Sequence, residues 1–300
     1  MEQLKEFLEN IPPQVLGELT EQVQLSLNKC GLFYRIFSRE KTYKSASEKI
    51  AQKGYCAERQ MQDLFGVRVV LYFREDIDIC REILTKKFCV IEEVCDPVEK
   101  EVFKPTRLNL VCALPASRAL GGISWPEGVF IDKTFELQIR TVLSEGWHEV
   151  EHDLRYKCKS EWEGEDDLWR ALNGVFATLE TCDWSISAIL DDMAYTKYKN
   201  HSWLSMIRNK FRIRLTDSAI RPELLQVLNE SKETAKKIFR ADRSSLLIFL
   251  ALEITVSIPI TGDNLIYLLN YLHLKDDQIT ALTPPALYKQ LDKYTRDSKE

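Results

Sequence analysis

The sequence predicts an α+β protein: a mixed, partly parallel β-sheet with helices packed on it, followed by an all-helical C-terminal region. Three observations carry this expectation. Phe135, Leu137 and Ile139 alternate with Glu136, Gln138 and Arg140, the period of two expected of a strand with one buried face. Residues 63–73 (DLFGVRVVLYF) hold a run of Val, Leu and Phe after Gly66 that reads as a buried strand. Helical and strand patterns interleave through about residue 195, and residues 201–300 then show only helical patterns.

Taken in order, residues 2–9 and roughly 13–29 read as two helices separated by Pro12-Pro13. Residues 33–53 carry Arg35, Arg39, Lys41, Lys44, Lys49 and Lys53, with Ser45 or Ser47 placed to start a short helix. Cations at a helix start can hold phosphates through side chains and free backbone N–H groups; the plain alternative is a solvated helix face. In the 63–73 strand, Gly66 marks a tight entry or a close backbone approach, Arg68 lies near the start, and Asp63 sits at the mouth, where a carboxylate either holds magnesium or caps a helix or turn. Residues 76–87 read as a helix, 88–95 and 107–113 as strands, and 114–127 as a loop. Residues 129–131 and the turn Asp132-Lys133 then predict a hairpin into the Glu136 strand.

Along that strand Glu136, Gln138 and Arg140 project from one face, about 7 Å apart. Thr141 can cap a helix over residues 142–157 that carries Trp147, His148, His152, Arg155 and Lys157. This is good site material, and equally the pattern of an edge strand with a solvated face. Residues 161–167 hold five acidic residues in seven and read as a surface loop before a long helix over 168–193. The helical remainder is broken at Pro222, Pro259 and Pro284-Pro285, with Asp263 expected to cap a helix over 264–274. The expected domains are N-terminal helices at 1–30, a mixed domain at 31–195 and a helical domain at 200–300.

With 45% hydrophobic and 29% charged residues, the 300-residue chain can bury a full core. A net charge of −5 argues against a wholly basic nucleic-acid binder but leaves room for a local basic groove. None of the eight cysteines forms a CxxC pair, which points to reduced, mostly buried thiols and a cytoplasmic protein. The acidic, amphipathic start MEQLKEFLEN is no signal peptide, and the apolar run 246–252 is too short to span a bilayer, so no membrane partner is expected.

His148-Glu149-Val150-Glu151-His152 is formally HExxH, in which two histidines one turn apart bind zinc and the glutamate activates water. Glu151 and Asp153 add charge to that turn, the remaining histidines are His201 and His273, and Glu161, Glu163 and Glu165 fall in a loop. Two polar residues on a site-facing helix are the favoured reading.

Four stretches fit one pattern. They are Arg39-x-Lys41-x-x-x-Ser45-x-x-x-Lys49, Asp63-x-x-Gly66-x-Arg68, Glu136-x-Gln138-x-Arg140-Thr141 and His152-x-x-x-Tyr156-Lys157. In order and spacing over about residues 20–195 they resemble the synthetase domain of the RelA/SpoT family, which makes the alarmones pppGpp and ppGpp. The resemblance implies a nucleotidyltransferase-like fold, a mixed β-sheet of about five strands flanked by helices, and transfer of the β,γ-pyrophosphate of ATP to a ribose 3′-hydroxyl of GDP or GTP. It implies that Asp63 and Glu136 hold Mg²⁺, with Glu136 also taking the proton of the attacking hydroxyl. Arg39 and Arg68 would enclose the adenine, and Lys41, Ser45 and Lys49 would contact the ATP phosphates. Gln138 and Arg140 would line the acceptor side, with His152 and Lys157 at its rim.

The family's Gly-Tyr-x-Ser-x-His motif, whose tyrosine stacks on the acceptor guanine, is missing. Aligned on the following Leu-Val, Pro105 falls at the tyrosine, Arg107 at the serine and Asn109 at the histidine, and Phe103 is the ring close by. Phe103 and Asn109 are therefore the expected acceptor contacts. Three functions follow: an alarmone-type pyrophosphokinase; a toxin-like relative acting on another acceptor such as the tRNA 3′ end; or a nucleotide-sensing protein without catalysis. Arg208, Lys210, Arg212 and Arg214 would contact the phosphates of a tRNA, or form a solvated basic face. The helical C-terminal region is the expected surface for a second copy or an antitoxin-type partner. No His-Asp metal-hydrolase segment precedes the first motif, so alarmone hydrolysis is not expected.

Overall fold

The structure is a computed structural model that describes residues 2–95, 108–116, 119, 123–126, 128–217, 219–254 and 257–297, the side chains of 292–297 excepted. Phe103, Pro105 and Arg107 lie outside the described residues. The chain divides into two compact units, residues 1–25 with 34–182, and residues 26–33 with 183–300.

The first unit is built on a five-stranded sheet in the order β1-β2-β5-β4-β3, with β1 Tyr34–Glu40, β2 Phe65–Leu71, β3 Val90–Cys95, β4 Leu108–Ala113 and β5 Thr134–Thr141. The β2–β5 pair is parallel and the other three pairs are antiparallel, giving the expected mixed sheet. Period-two alternation divides its residues between two faces. Val67, Val69, Leu71, Leu110, Cys112, Phe135, Leu137 and Ile139 form the buried face. Helix α4 (Asp76–Lys87) supplies Ile79, Cys80, Ile83 and Leu84 to the core, and Phe88 meets Phe135 edge-on at 5.3 Å. The other face carries Arg39, Arg68, Glu136, Gln138, Arg140 and Asn109 in register.

The expected hairpin at 129–133 does not form. β5 is central and hydrogen-bonded along both edges, by β2 and β4, so it has no edge left for residues 129–131. Ile131 instead makes a parallel bridge to Met61, with Met61 N donating to Phe130 O (2.8 Å) and Asp132 N to Met61 O (2.9 Å).

Helices α1 (Glu2–Glu9) and α2 (Gln14–Asn28) flank Pro12-Pro13 as expected. Helix α3 (Tyr43–Lys53) is capped by Thr42, whose hydroxyl accepts from Ser45 N; Ser45 is in the first turn and does not start the helix. Thr141 does cap α5 (Val142–Glu151), in a reciprocal box with Ser144. That helix ends before Lys157, because residues His152–Tyr156 widen into a π-helical turn. The turn carries Arg155 inward: it is buried, with its guanidinium 5.4 Å from the Trp147 ring and 4.4 Å from the Trp169 ring. Arg155 is thus core material and not a site-facing cation.

Helix α6 (Asp166–Lys199) crosses the division between the units. The second unit is helical among its described residues: α7 (Trp203–Phe211), α8 (Pro222–Glu230), α9 (Lys232–Arg240), α10 (Arg243–Leu252), α11 (Gly262–Leu269), α12 (Asp277–Leu282) and α13 (Pro285–Asp297). Pro222 and Pro285 open helices, where a missing N–H costs nothing. Thr261, not Asp263, caps α11, and Asp263 instead accepts from Arg221 N and Nε. The basic run does not offer four cations to phosphate. Arg212 is buried and paired with Asp191 at 2.8 Å, and the Arg214 guanidinium lies 5.4 Å from the Phe33 ring. Among the described residues, no helix is long and apolar enough to cross a membrane.

All eight cysteines are free thiols, but only Cys30, Cys80 and Cys112 are buried; Cys56, Cys89, Cys95 and Cys182 are exposed. The expectation of mostly buried thiols fails because apolar neighbours in sequence do not decide which face of a strand or helix a residue takes. Burial, with a smaller contribution from the nearby Cys89, pushes the Cys112 thiol up to about 12. Titration of the native protein with a thiol reagent at pH 8 should therefore leave Cys30, Cys80 and Cys112 unmodified until denaturant is added. Modification of all eight under native conditions contradicts the packing of β4 and α4.

Candidate active site

Asp63 precedes β2 and Glu136 lies on β5, opposite Gly66 in the parallel register, so adjacent strands bring the two carboxylates to one cleft. That cleft, of about 620 Å³, is lined by both and by Lys49, Tyr55, Arg59 and Glu92, among others. Lys41, just past β1, and Lys49, on α3, converge on Asp63 Oδ2 at 3.1 and 2.5 Å. Burial alone would raise the Asp63 carboxyl, but the hydrogen bonds and charges of Lys49 and Lys41 outweigh it and hold the group below the usual carboxylate range. Asp63 Oδ1 is buried without a hydrogen-bond partner among the described residues. A buried carboxylate oxygen with an open lone pair, sharing a cleft with a second carboxylate, is the donor set a hard oxygen-seeking cation takes.

Glu136 is held from two sides. Asn109 Nδ2 donates to Oε1 and Gln138 Nε2 to Oε2, each at 2.8 Å. Arg140 Nη2 donates to Asn109 Oδ1 at 2.9 Å, and Arg68 Nε to Gln138 Oε1 at 2.8 Å. Arg68 Nη1 also meets Glu145, and Glu149 at 2.6 Å, both on α5. Burial works against the Arg68 charge, yet the bonds to Glu145 and Glu149 prevail and raise its pKa. These bonds engage Arg68 by its edge and do not occupy the planar face of the guanidinium.

Arg39 lies across Gly66, its Cγ 3.6 Å from where a Cβ would sit, an ordinary van der Waals contact. Phe37 pairs with Arg68 and Arg39 with Gly66, which puts the two arginines diagonally on one face of neighbouring strands. Ser45 sits in the exposed first turn of α3. The structure thus brings Arg39, Lys41, Lys49, Asp63, Arg68, Glu136, Gln138 and Asn109 to one side of the sheet.

Arg140 is on that face, buried, and its Nη1 donates to the main-chain oxygens of Ile139 (2.9 Å) and Leu108 (3.3 Å). His152, on the π turn, and Lys157, just past it, are exposed and bond to Asp153, His152 Nδ1 at 2.9 Å and Lys157 Nζ at 2.6 Å. Phe103 lies outside the described residues. His148 stacks edge-on to Trp147, and among the described residues no group of three or more His, Cys, Asp or Glu is arranged to hold a metal.

Sequence reasoning missed Glu145 and Glu149 as the partners of Arg68. The signal was available, since carboxylates four apart share one helix face. Tyr55, Arg59 and Glu92 carried none, because their presence in the cleft depends on how the 54–62 loop and β3 fold toward β5.

Residues 38–161 match the family described as "Region found in RelA / SpoT proteins". The chain is 32% identical over 99 residues to the GTP pyrophosphokinase YjbM of Bacillus subtilis (strain 168), a stretch that covers 32% of this chain and 43% of that protein. The match thus spans less than half the length of this curated relative. A GTP pyrophosphokinase family protein from Streptococcus pneumoniae shares the fold, with a TM-score of 0.50 at 23% identity over 64% of this chain and 95% of that one. Four motifs in family order, three of which the mixed sheet gathers on one side, and the matched segment lead to one conclusion: residues 38–161 match a region found in RelA/SpoT proteins.

Proposed function

We propose that this chain is an ATP-dependent pyrophosphokinase that moves the β,γ-pyrophosphate of ATP to the ribose 3′-hydroxyl of GDP or GTP. The observation that carries the reading is Glu136, a carboxylate clamped by two amides and sharing a cleft with Asp63, whose partners are two lysines. Arg39 and Arg68 take the adenine between their planar faces, which the edge-on bonding of Arg68 leaves open. Lys41, Lys49 and the Ser45 hydroxyl at the start of α3 take the phosphates. With Lys41 and Lys49 engaged by phosphate, Asp63 and Glu136 would be the residues to hold Mg²⁺. Bound there, Mg²⁺ would neutralise charge on the transferring phosphates.

Glu136 accepts the proton of the 3′-hydroxyl as its oxygen attacks the β-phosphorus. The new O–Pβ bond forms as the bond from Pβ to the α,β-bridging oxygen breaks, and AMP leaves with that electron pair. The name of the B. subtilis relative supports a guanine nucleotide as the acceptor. The burial of Arg212 weighs against the phosphate contacts expected for tRNA.

Incubation with γ-³²P-ATP and, in separate reactions, GDP, GTP and bulk tRNA tests the reading. Label should appear on GDP or GTP and depend on Mg²⁺. Label on tRNA alone would replace the acceptor, and no label on any acceptor would overturn the activity.

A further inference from the structure

We propose that Asn109, anchored by Arg140, is a positioning residue that fixes the Glu136 carboxylate for proton transfer, a role that rests on the reading of Glu136 above. A glutamate side chain has three torsions, and a carboxylate facing an open cleft is free to turn. Here Oε1 is held by Asn109 on β4 and Oε2 by Gln138 on β5 itself. Each amide could present either its oxygen, which would repel the carboxylate, or its NH₂. An arginine decides, because guanidinium has donors and no acceptor. Arg140 Nη2 binds Asn109 Oδ1 and Arg68 Nε binds Gln138 Oε1, so both amides must turn N–H toward Glu136.

The two arms differ in what anchors them. The Gln138 arm ends on Arg68, which is assigned to adenine and therefore responds to ATP. The Asn109 arm ends on Arg140, which is buried and tied to the main-chain oxygens of Leu108 and Ile139 on the two paired strands. That arm is internal to the sheet and holds Glu136 whether or not nucleotide is bound. Its loss should affect the chemical step and leave ATP binding alone. Asn109 stands where the related motif has histidine, and neutral imidazole offers the same pair of functions, one N–H donor and one acceptor nitrogen.

The test compares wild type with Asn109→Ala and Asn109→His, by steady-state transfer from γ-³²P-ATP to GDP and by crystal structures of the three proteins. Misplacing a reacting group by about 1 Å costs roughly a hundredfold. Asn109→Ala should lower kcat by about 10- to 100-fold with the KM for ATP within about twofold, and Asn109→His should recover most of the loss. In the Ala structure the Glu136 carboxylate should leave its place by about 1 Å or more while the sheet superposes; in the His structure it should stay. An unchanged kcat, a His variant no better than Ala, or a Glu136 that stays put in the Ala variant overturns the proposal. If wild type labels no acceptor, the pyrophosphokinase reading fails, and the position of Glu136 in the variant structures alone decides whether Asn109 holds it.

Discussion

Replacing Glu136 or Asp63 should abolish pyrophosphate transfer. In the proposed roles of Glu136, the loss of a general base alone would cost about 10²–10⁴-fold, and a lost metal ligand would add to it. The environment sharpens the expectation for Glu136→Gln. Two NH₂ groups converge on this carboxylate, from Asn109 and Gln138. An amide at position 136 can accept from one of them but must set its own NH₂ against the other. That leaves a donor facing a donor, at about 1–3 kcal/mol, unless an amide turns over and abandons its arginine. Glu136→Asp keeps the charge but withdraws the carboxylate, so it should lose activity with less effect on stability. Asp63→Asn leaves Lys41 and Lys49 without their shared counter-charge. Transfer rates within threefold of wild type in Asp63→Asn or in both Glu136 variants, each confirmed folded by circular dichroism, would sink the assignment.

Arg155→Ala should cause a large loss of stability in the first unit. The guanidinium lies between Trp147 and Trp169, donates to Glu151 Oε1 at 2.9 and 3.1 Å and to Asn173 Oδ1 at 3.0 Å, and is almost fully buried. Removing one partner of a buried pair leaves the other charge without compensation, at about 3–5 kcal/mol. Glu151 reaches some solvent, so the expectation is about 3 kcal/mol. In a unit of this size that lowers the thermal midpoint by roughly 6–12 °C. Arg155→Lys keeps the charge but not the flat face between two indoles, and should recover part of the loss. Near-ultraviolet circular dichroism follows the tryptophans directly, and a midpoint within 1 °C of wild type for Arg155→Ala would show that the π turn does not depend on this contact.

Periodicity and spacing alone revealed β2, β3, β4 and β5 but not β1, because alternation reports which side of a strand must be dry and β1 buries little of either side. They also showed that Glu136, Gln138 and Arg140 share a face, and that Thr141 caps the helix after β5. The four motifs identified the family region before any geometry, since local spacing is a property of the chain itself. What each polar group touches was decided by the fold. Residues 129–131 look like half of a hairpin in sequence, yet β5 has both edges taken and sends them to Met61. Arg140 and Arg155 read as cations aimed at a ligand, yet one ties β4 to β5 and the other fills a space between tryptophans. Arg68 shows the converse: its motif position was legible, while its partners Glu145 and Glu149 come from another element. Strand order, a widened helical turn and the burial of individual side chains all depend on contacts between residues distant in sequence. Sequence by itself determined the elements and the chemistry they carry; only the tertiary structure decided which charges face the cleft and which hold Glu136 in place.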